Sequence, residues 1–197
     1  MKSPVQNAHH VKRLVSAAAL VAALLLSALA CSGGASAEDK AADDQAISAA
    51  LDAGLKAHAA GDTTAATADY TTVLKLDSGN KFALYNLALI DAGNGNYGLA
   101  EEKYRAALTT DPAYEPALFN LAILRTTPNP KEAMGLYQRA VAANPKDAAA
   151  RLNLGLLQRT HGQKAQGDKN VLQAITLNPK LKDPSGQAKK AGAVKKP

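Results

Sequence analysis

The sequence is poor in cysteine and in aromatic residues. Its 197 residues include one cysteine, Cys31, with no tryptophan, two phenylalanines and six tyrosines. A lone cysteine cannot form an internal disulfide or a zinc site built on paired Cys-x-x-Cys motifs. So few aromatics argue against a large β-sandwich or barrel, whereas abundant alanine favours closely packed helices. We therefore expect an all-α protein.

Acidic residues are missing from the start of the chain, where no Asp or Glu precedes Glu38. Lys2, Lys12 and Arg13 instead lead into an uncharged, largely apolar run over residues 14–30. This order of a basic leader and an apolar run is typical of an export signal, and we assign residues 1–30 to a signal peptide. The run is close to the shortest, about 17 residues, that could span a membrane as a helix.

The residues at the end of the run, Ala28-Leu29-Ala30-Cys31, resemble a bacterial lipoprotein signal. The resemblance implies cleavage before Cys31, a diacylglyceryl lipid on its sulfur, and attachment to the extracytoplasmic side of the cell membrane. Residues 31–46 would then be the lipidated N-terminus and a linker. The sequence departs from the family at Ala28, where leucine is usual. Ordinary secretion, with cleavage after Ala30 or Ala37, and an uncleaved anchor are the alternatives.

The net charge of +6 is confined to the two ends of the chain. In residues 31–179 acidic side chains slightly outnumber basic ones, so the body has no basic face for nucleic acid. Residues 182–197 are rich in lysine, glycine and proline without apolar periodicity, and we expect them to form a disordered tail. This tail either keeps the protein soluble or binds anionic lipid or cell-wall polymer.

A repeat organises the remainder of the chain. Alanine and tyrosine recur together, first as Ala66 and Tyr70 and later as Ala100 and Tyr104 and then Ala133 and Tyr137. The period defines four units, at residues 47–80, 81–114, 115–147 and 148–181. Within each unit, apolar residues at helical spacing fall into two halves around a turn, which predicts a helix pair. Small residues stand where the two helices of each pair must approach closely.

Unit two resembles the tetratricopeptide repeat almost completely, through Leu84, Tyr85, Asn86, Leu87, Ala88, Gly95, Tyr97, Ala100, Tyr104, Ala107, Asp111 and Pro112. The resemblance extends over residues 47–181 and implies a right-handed superhelical solenoid of four helix-turn-helix units. Unit three is one residue short, at its turn. Asn129 is placed there to cap the next helix, with Pro130 in its first turn.

The resemblance also implies a concave groove that is lined by the first helices and binds a protein or peptide partner. Carried onto this sequence, its positions are Leu55, Tyr85, Asn86, Leu89, Phe119, Asn120, Ile123, Leu152, Asn153 and Leu156. The three asparagines form a ladder of amides, each able to give and accept a hydrogen bond with an extended peptide. Alternatively, asparagine at this position belongs to the repeat pattern and contacts no ligand.

No catalytic motif accompanies the repeats. The sequence contains no nucleophile elbow, phosphate loop or metal-binding helix, so we expect a scaffold and not an enzyme, with no metal and no cofactor other than the lipid on Cys31. Arg125, Arg151 and Arg159 are interpreted as rim or solvated side chains, which favours an apolar or mixed ligand over an acidic one. Two alternative functions are a structural envelope tether acting through the lysine-rich tail and a soluble secreted protein without lipid.

Overall fold

The computed structural model describes residues 36–185, which form eight α-helices and no strand. The helices are α1 (Ala37–Ala59), α2 (Thr63–Leu76), α3 (Lys81–Gly93), α4 (Tyr97–Thr110), α5 (Glu115–Arg125), α6 (Pro130–Ala143), α7 (Ala148–Thr160) and α8 (Lys164–Leu177). The all-α expectation is confirmed. None of these helices is long and apolar enough to cross a membrane. The predicted signal peptide, Cys31 and residues 186–197 of the predicted tail lie outside the described residues.

The chain divides into two units between Ala42 and Asp43, and residues 36–42 are the described part of the first unit. The described part of the first unit begins α1 with a capping box. The Ser36 hydroxyl accepts a hydrogen bond from the Asp39 backbone N–H at 3.1 Å, and the Asp39 carboxylate accepts one from the Ser36 N–H at 3.0 Å. These bonds satisfy N–H groups that a helix start leaves without partners. The predicted linker, residues 31–46, is therefore helical from Ala37 onward.

From α2 to α8, each helix packs on the next one along the chain. The turns inside units one, two and four each place a glycine at a φ near +80°, namely Gly61, Gly95 and Gly162. The short turn of unit three is closed differently, because the Asn129 side chain accepts a hydrogen bond from the Glu132 N–H at 3.2 Å and Pro130 begins α6. The predicted cap and proline position in unit three are confirmed.

Two clusters of apolar side chains form the core of residues 43–185. The first surrounds Tyr70 between α1, α2 and α3, and the second extends from α3 to α7 around Tyr104 and Tyr137. Helix α3 contributes to both, since Leu87 packs in the first cluster and Leu84 in the second. Each repeat thus buries its apolar faces against its neighbours, as the repeat pattern predicts.

Small residues stand at the closest helix contacts, as predicted. The contact is tightest in unit four, between Gly155 of α7 and Gly167 of α8. A β-carbon built on Gly167 would lie 2.5 Å from the backbone oxygen of Gly155, and one built on Gly155 would lie 2.8 Å from the Gly167 oxygen. Only glycine fits at these two positions without moving a backbone.

The chain returns after α8 to contact the end of α7. Asp183 accepts a hydrogen bond from the Arg159 guanidinium at 2.8 Å, and the two side chains are only 3% and 8% exposed. Arg159 also bonds Asp168 of α8 at 2.7 Å. The interpretation of Arg159 as a rim or solvated side chain is therefore wrong, because two carboxylates compensate its charge where it is buried. We call residues 178–185 the C-terminal segment.

Candidate functional site

The predicted groove positions lie on α1, α3, α5 and α7, and most are half-buried. Leu55 and Ile123 are the most open, with 50% and 46% of their surface exposed. Tyr85, Leu89 and Phe119 pack against the second apolar cluster, so they contribute to stability as well as to the surface. The structure brings three of the predicted residues, Ile123, Asn153 and Leu156, to one concavity.

This concavity, which we call the central groove, has a volume of about 560 Å³ and lies between α5, α6 and α7. Its lining consists of aliphatic, hydroxyl and amide side chains. They are Ile123, Thr126, Thr127, Tyr137, Asn153, Leu156, Leu157 and Thr160. A groove of this size and composition matches the mostly apolar sites, with a few placed polar groups, at which proteins bind ligands.

Smaller concavities adjoin the central groove at both ends. One of about 480 Å³ shares Ile123 with it and extends to Tyr97 and Arg125. Another, of about 540 Å³, shares Leu156 and Thr160 with it and ends at Ser185 of the C-terminal segment. The side chains of Ile123 and Leu156 thus lie where one concavity passes into the next.

Five residues of the central groove were not predicted from the sequence: Thr126, Thr127, Tyr137, Leu157 and Thr160. Tyr137 comes from the second helix of unit three, whereas the family pattern assigns the groove to first helices. The threonines lie at or just beyond the last turns of α5 and α7, past the positions that the repeat pattern marks. The three threonines at those helix ends are the sequence feature from which these groove positions could have been predicted.

The Tyr137 hydroxyl is held inside this groove by polar neighbours. It accepts a hydrogen bond from the Asn153 amide at 3.4 Å. Burial raises the pKa of Tyr137, and its hydrogen bonds with Thr126 and Asn153 oppose part of that rise. The hydroxyl is therefore neutral at physiological pH and acts here as a structural and hydrogen-bonding group.

The asparagine ladder has already used part of its hydrogen-bonding capacity. The Asn86 amide donates to the Phe82 carbonyl at 2.8 Å, and the Asn120 amide donates to the Pro116 carbonyl at 2.9 Å and to the Tyr85 hydroxyl at 3.3 Å. Within residues 36–185, no hydrogen bond reaches the Oδ1 atom of Asn86, Asn120 or Asn153. Each amide therefore has its oxygen left to accept a bond, while contact of the ladder with a ligand stays a prediction.

An aromatic cluster lies beside the ladder in unit two. The Tyr85 ring is 5.5 Å from that of Tyr114 and 5.9 Å from that of Tyr104, and Phe82 stands edge-on to Tyr114 at 5.8 Å. The Lys81 ammonium lies 5.2 Å from the Phe82 and Tyr114 ring centres and bonds Asp111 at 2.6 Å. Phe82, at 47% exposure, is an apolar surface that the predicted groove did not include.

The charged side chains next to the central groove are paired with one another. Arg125, at the end of α5, bonds Glu132 at 2.8 Å and Glu101 at 3.0 Å. Arg105 bonds the same two carboxylates, which closes a ring of two arginines and two glutamates. Within residues 36–185 no three or more His, Cys, Asp or Glu side chains are placed to hold a metal ion.

The sequence matches the family described as tetratricopeptide repeat over residues 51–115 and 128–166, more than half of the chain. None of the curated proteins matches it. Among solved structures, a MamA protein is 25% identical, with a TM-score of 0.60, over 69% of this chain and 75% of that one.

Two further solved structures are alike in fold. PilF of Pseudomonas aeruginosa is 24% identical, with a TM-score of 0.63, over 71% of this chain and 64% of that one. An O-GlcNAc transferase of Thermobaculum terrenum is 23% identical, with a TM-score of 0.60, over 68% of this chain but 26% of its own. The likeness to the transferase is confined to about a quarter of that protein. Together these structures confirm the predicted solenoid of helix pairs.

Proposed function

Because the chain belongs to the tetratricopeptide repeat family, we propose that it is a scaffold that binds an extended segment of a protein partner along the central groove. The observation that carries the proposal is the groove, where Ile123, Asn153 and Leu156 from two successive repeats meet. Helical repeats that stack in this way offer a long concave surface to partners. The proposed activity is binding, without a chemical reaction.

We propose further that the scaffold works outside the cytoplasm and is held at the membrane by a lipid on Cys31. The support for this part is the basic leader, the apolar run and the residues around Cys31 in the sequence. The test compares the native protein with a Cys31→Ala variant by intact mass and detergent partitioning. We expect acyl mass and entry into the detergent phase for the native protein alone; a mature chain that begins at Glu38 without lipid would overturn this part.

The groove is best tested by site-specific photo-crosslinking in cells. Ile123 suits the purpose because nearly half of its side chain is exposed, so a photoreactive residue there disturbs little packing. Leu99 of α4, 48% exposed and outside the central groove, is the matched control. We expect a discrete crosslinked partner from position 123 and none from position 99.

Two outcomes would count against the proposed function. The same adducts from both positions would mean that crosslinking reports surface exposure, and no adduct from position 123 would mean that the groove is unoccupied in the cell. A Leu156→Ala variant that retains the position-123 adduct at full yield would also remove the groove from the account, because Leu156 lines the same concavity.

A further inference from the structure

The central groove has no charged residue in its lining. Three aliphatic side chains, three threonines, one tyrosine and one asparagine surround about 560 Å³ of space. A charged side chain that enters such a site loses hydration and meets no opposite charge, which disfavours binding. The lining therefore discriminates between neutral and charged ligands.

The charges at the ends of the groove are not available to a ligand without breaking an existing pair. At one end, Arg125 is held between Glu101 and Glu132. At the other end, Arg159 bonds Asp168 and Asp183, and Lys164 bonds Asp168 at 2.7 Å. At both flanks, the charged side chains are therefore already paired with one another.

Several polar atoms of the groove can accept hydrogen bonds from a ligand. The Thr126 hydroxyl donates to the Ala122 carbonyl at 2.8 Å, and the Thr160 hydroxyl lies 2.9 Å from both the Leu157 carbonyl and Nδ1 of His161. Their oxygens, like Oδ1 of Asn153, can still accept hydrogen bonds. An extended peptide backbone offers N–H donors at regular spacing, and small aliphatic or hydroxyl side chains suit the volume beside Ile123 and Leu156.

We propose that the central groove selects an uncharged, extended segment of the partner, rich in small aliphatic and hydroxyl side chains, and rejects segments that place Asp, Glu, Lys or Arg there. This inference rests on the proposed function and specifies its ligand.

The test uses the full chain in detergent on an array of immobilised twelve-residue peptides, acetylated and amidated at their ends. Each neutral sequence, built from Ala, Val, Ser and Thr, is paired with copies that carry one central Glu or one central Lys. Fluorescence anisotropy then measures the affinities of the strongest matched sets. We expect the charged copies to bind at least about tenfold more weakly than the neutral parent.

A designed charge in the groove sharpens the result. Ile123→Lys should weaken binding of the neutral peptides and improve binding of the Glu copies relative to the Lys copies. Leu99→Lys, at an equally exposed position outside the groove, should change neither. Circular dichroism of both variants establishes that the helices are retained.

The outcomes separate the ligand class from the function. If charged copies bind as well as neutral ones and Ile123→Lys changes their binding, the groove binds peptides but the proposed selectivity is wrong. If no peptide binds, or if binding in every class is the same for native protein, Ile123→Lys and Leu99→Lys, both the selectivity and the groove's proposed function are overturned.

Discussion

Units two and four follow the same repeat, but the two helices within each unit approach each other to different distances. In unit two, Ala88 and Ala100 stand at the small-residue positions of the helix pair and are buried in one cluster with Tyr104. In unit four the same positions hold Gly155 and Gly167, and Val171 replaces the tyrosine. A β-carbon on Gly155 would lie 2.8 Å from Val171 Cγ2. A closer pair of helices thus goes with a smaller side chain behind the contact, which keeps the volume filled.

The polar side chains that join the two helices of a unit also differ between units two and four. In unit two, Asp91 and Lys103 form an ion pair at 2.6 Å while 18% and 27% exposed. In unit four, the equivalent positions are Gln158 and Asn170, bonded at 2.7 Å while 2% and 5% exposed. Full burial of a charge is costly, whereas a neutral amide needs only its hydrogen bond. In these two units, the more accessible position holds charges and the buried one holds amides.

The largest expected effect comes from separating the closely packed helices of unit four. Gly167→Ala places a β-carbon against the Gly155 oxygen and the Arg159 backbone nitrogen, neither of which can yield without a helix shift. We expect a loss of about 2–4 kcal/mol in the free energy of unfolding, more than the gain in helix propensity of about 1 kcal/mol. Urea denaturation followed by circular dichroism measures it.

Gly135→Ala on α6 is the matched control for that substitution. Gly135 is also helical, but nothing lies within 4 Å of a β-carbon built on it. This variant should be more stable than the native protein by up to about 1 kcal/mol. If both alanines stabilise the protein, the close contact of α7 and α8 does not limit unit four.

The second prediction concerns the buried amide pair. Gln158→Leu leaves the Asn170 amide buried without its partner, at a cost of about 1–3 kcal/mol in unfolding free energy. Replacing both residues with leucine should recover a large part of that loss, because no polar group is then stranded. This view would be contradicted if the costs were additive, that is, if the double variant were less stable than Gln158→Leu by the full unfolding free energy that Asn170→Leu costs alone.

The third prediction compares the first residues of units two and three. Lys81 pairs with Asp111, whereas Glu115, at the same repeat position, lies against Asp147, the cap of α7. Burial first, and then the Asp147 carboxyl, raises the pKa of Glu115 to about 7. Since the folded state holds this proton more tightly than the unfolded chain does, stability falls as pH rises from about 4.5 through 7.

Glu115→Gln removes that titration. We expect equal unfolding free energies for variant and native protein near pH 4, and a gain of about 1–2 kcal/mol for the variant at pH 8, with solvent screening taken into account. Glu102→Gln, at an exposed position of α4, serves as the control. A gain that is the same at both pH values would show that packing, and not the carboxyl pair, is responsible.

The smallest expected effect is on the ion pair of unit two, the partly exposed counterpart of the buried amides. Asp91→Ala breaks the ion pair with Lys103. In the native protein both side chains of this pair retain access to water. We expect a cost of about 0.5–1 kcal/mol, shrinking in 1 M salt as screening weakens the native pair. A cost as large as that of Gln158→Leu would mean that burial does not separate the two pairs.

The sequence predicted the helix pairs well because the signals are local. Each turn and helix contact is defined by residues a few positions apart in the sequence. Examples are Asn129 and Pro130 at one turn and the regularly spaced small residues. The early start of α1 depends on Ser36 and Asp39, which form a local capping box that the linker assignment overlooked. Helix ends of this kind are readable from sequence when the cap is sought.

The groove was less predictable because its chemistry depends on contacts between distant residues. The Asn120 amide reaches the Tyr85 hydroxyl of the preceding repeat, and Arg159 pairs with Asp183 beyond the last repeat. Neither partner follows from the pattern of a single unit. The direction of a side chain decides whether its polar group bonds within the protein or stays free for a ligand. Family positions located Ile123 and Leu156, and the three-dimensional packing added the threonines and Tyr137.

The division of the core around α3 has a consequence for amide hydrogen exchange. Tyr70 and its neighbours form a cluster between α1, α2 and α3, while the second cluster includes side chains from α3 through α7. In a chain of stacked repeats, the protection of amides against exchange increases with the number of repeats that pack against their own. The amides of α2 should therefore exchange through partial openings that leave α4 to α6 intact, and the midpoint of the solenoid should exchange last.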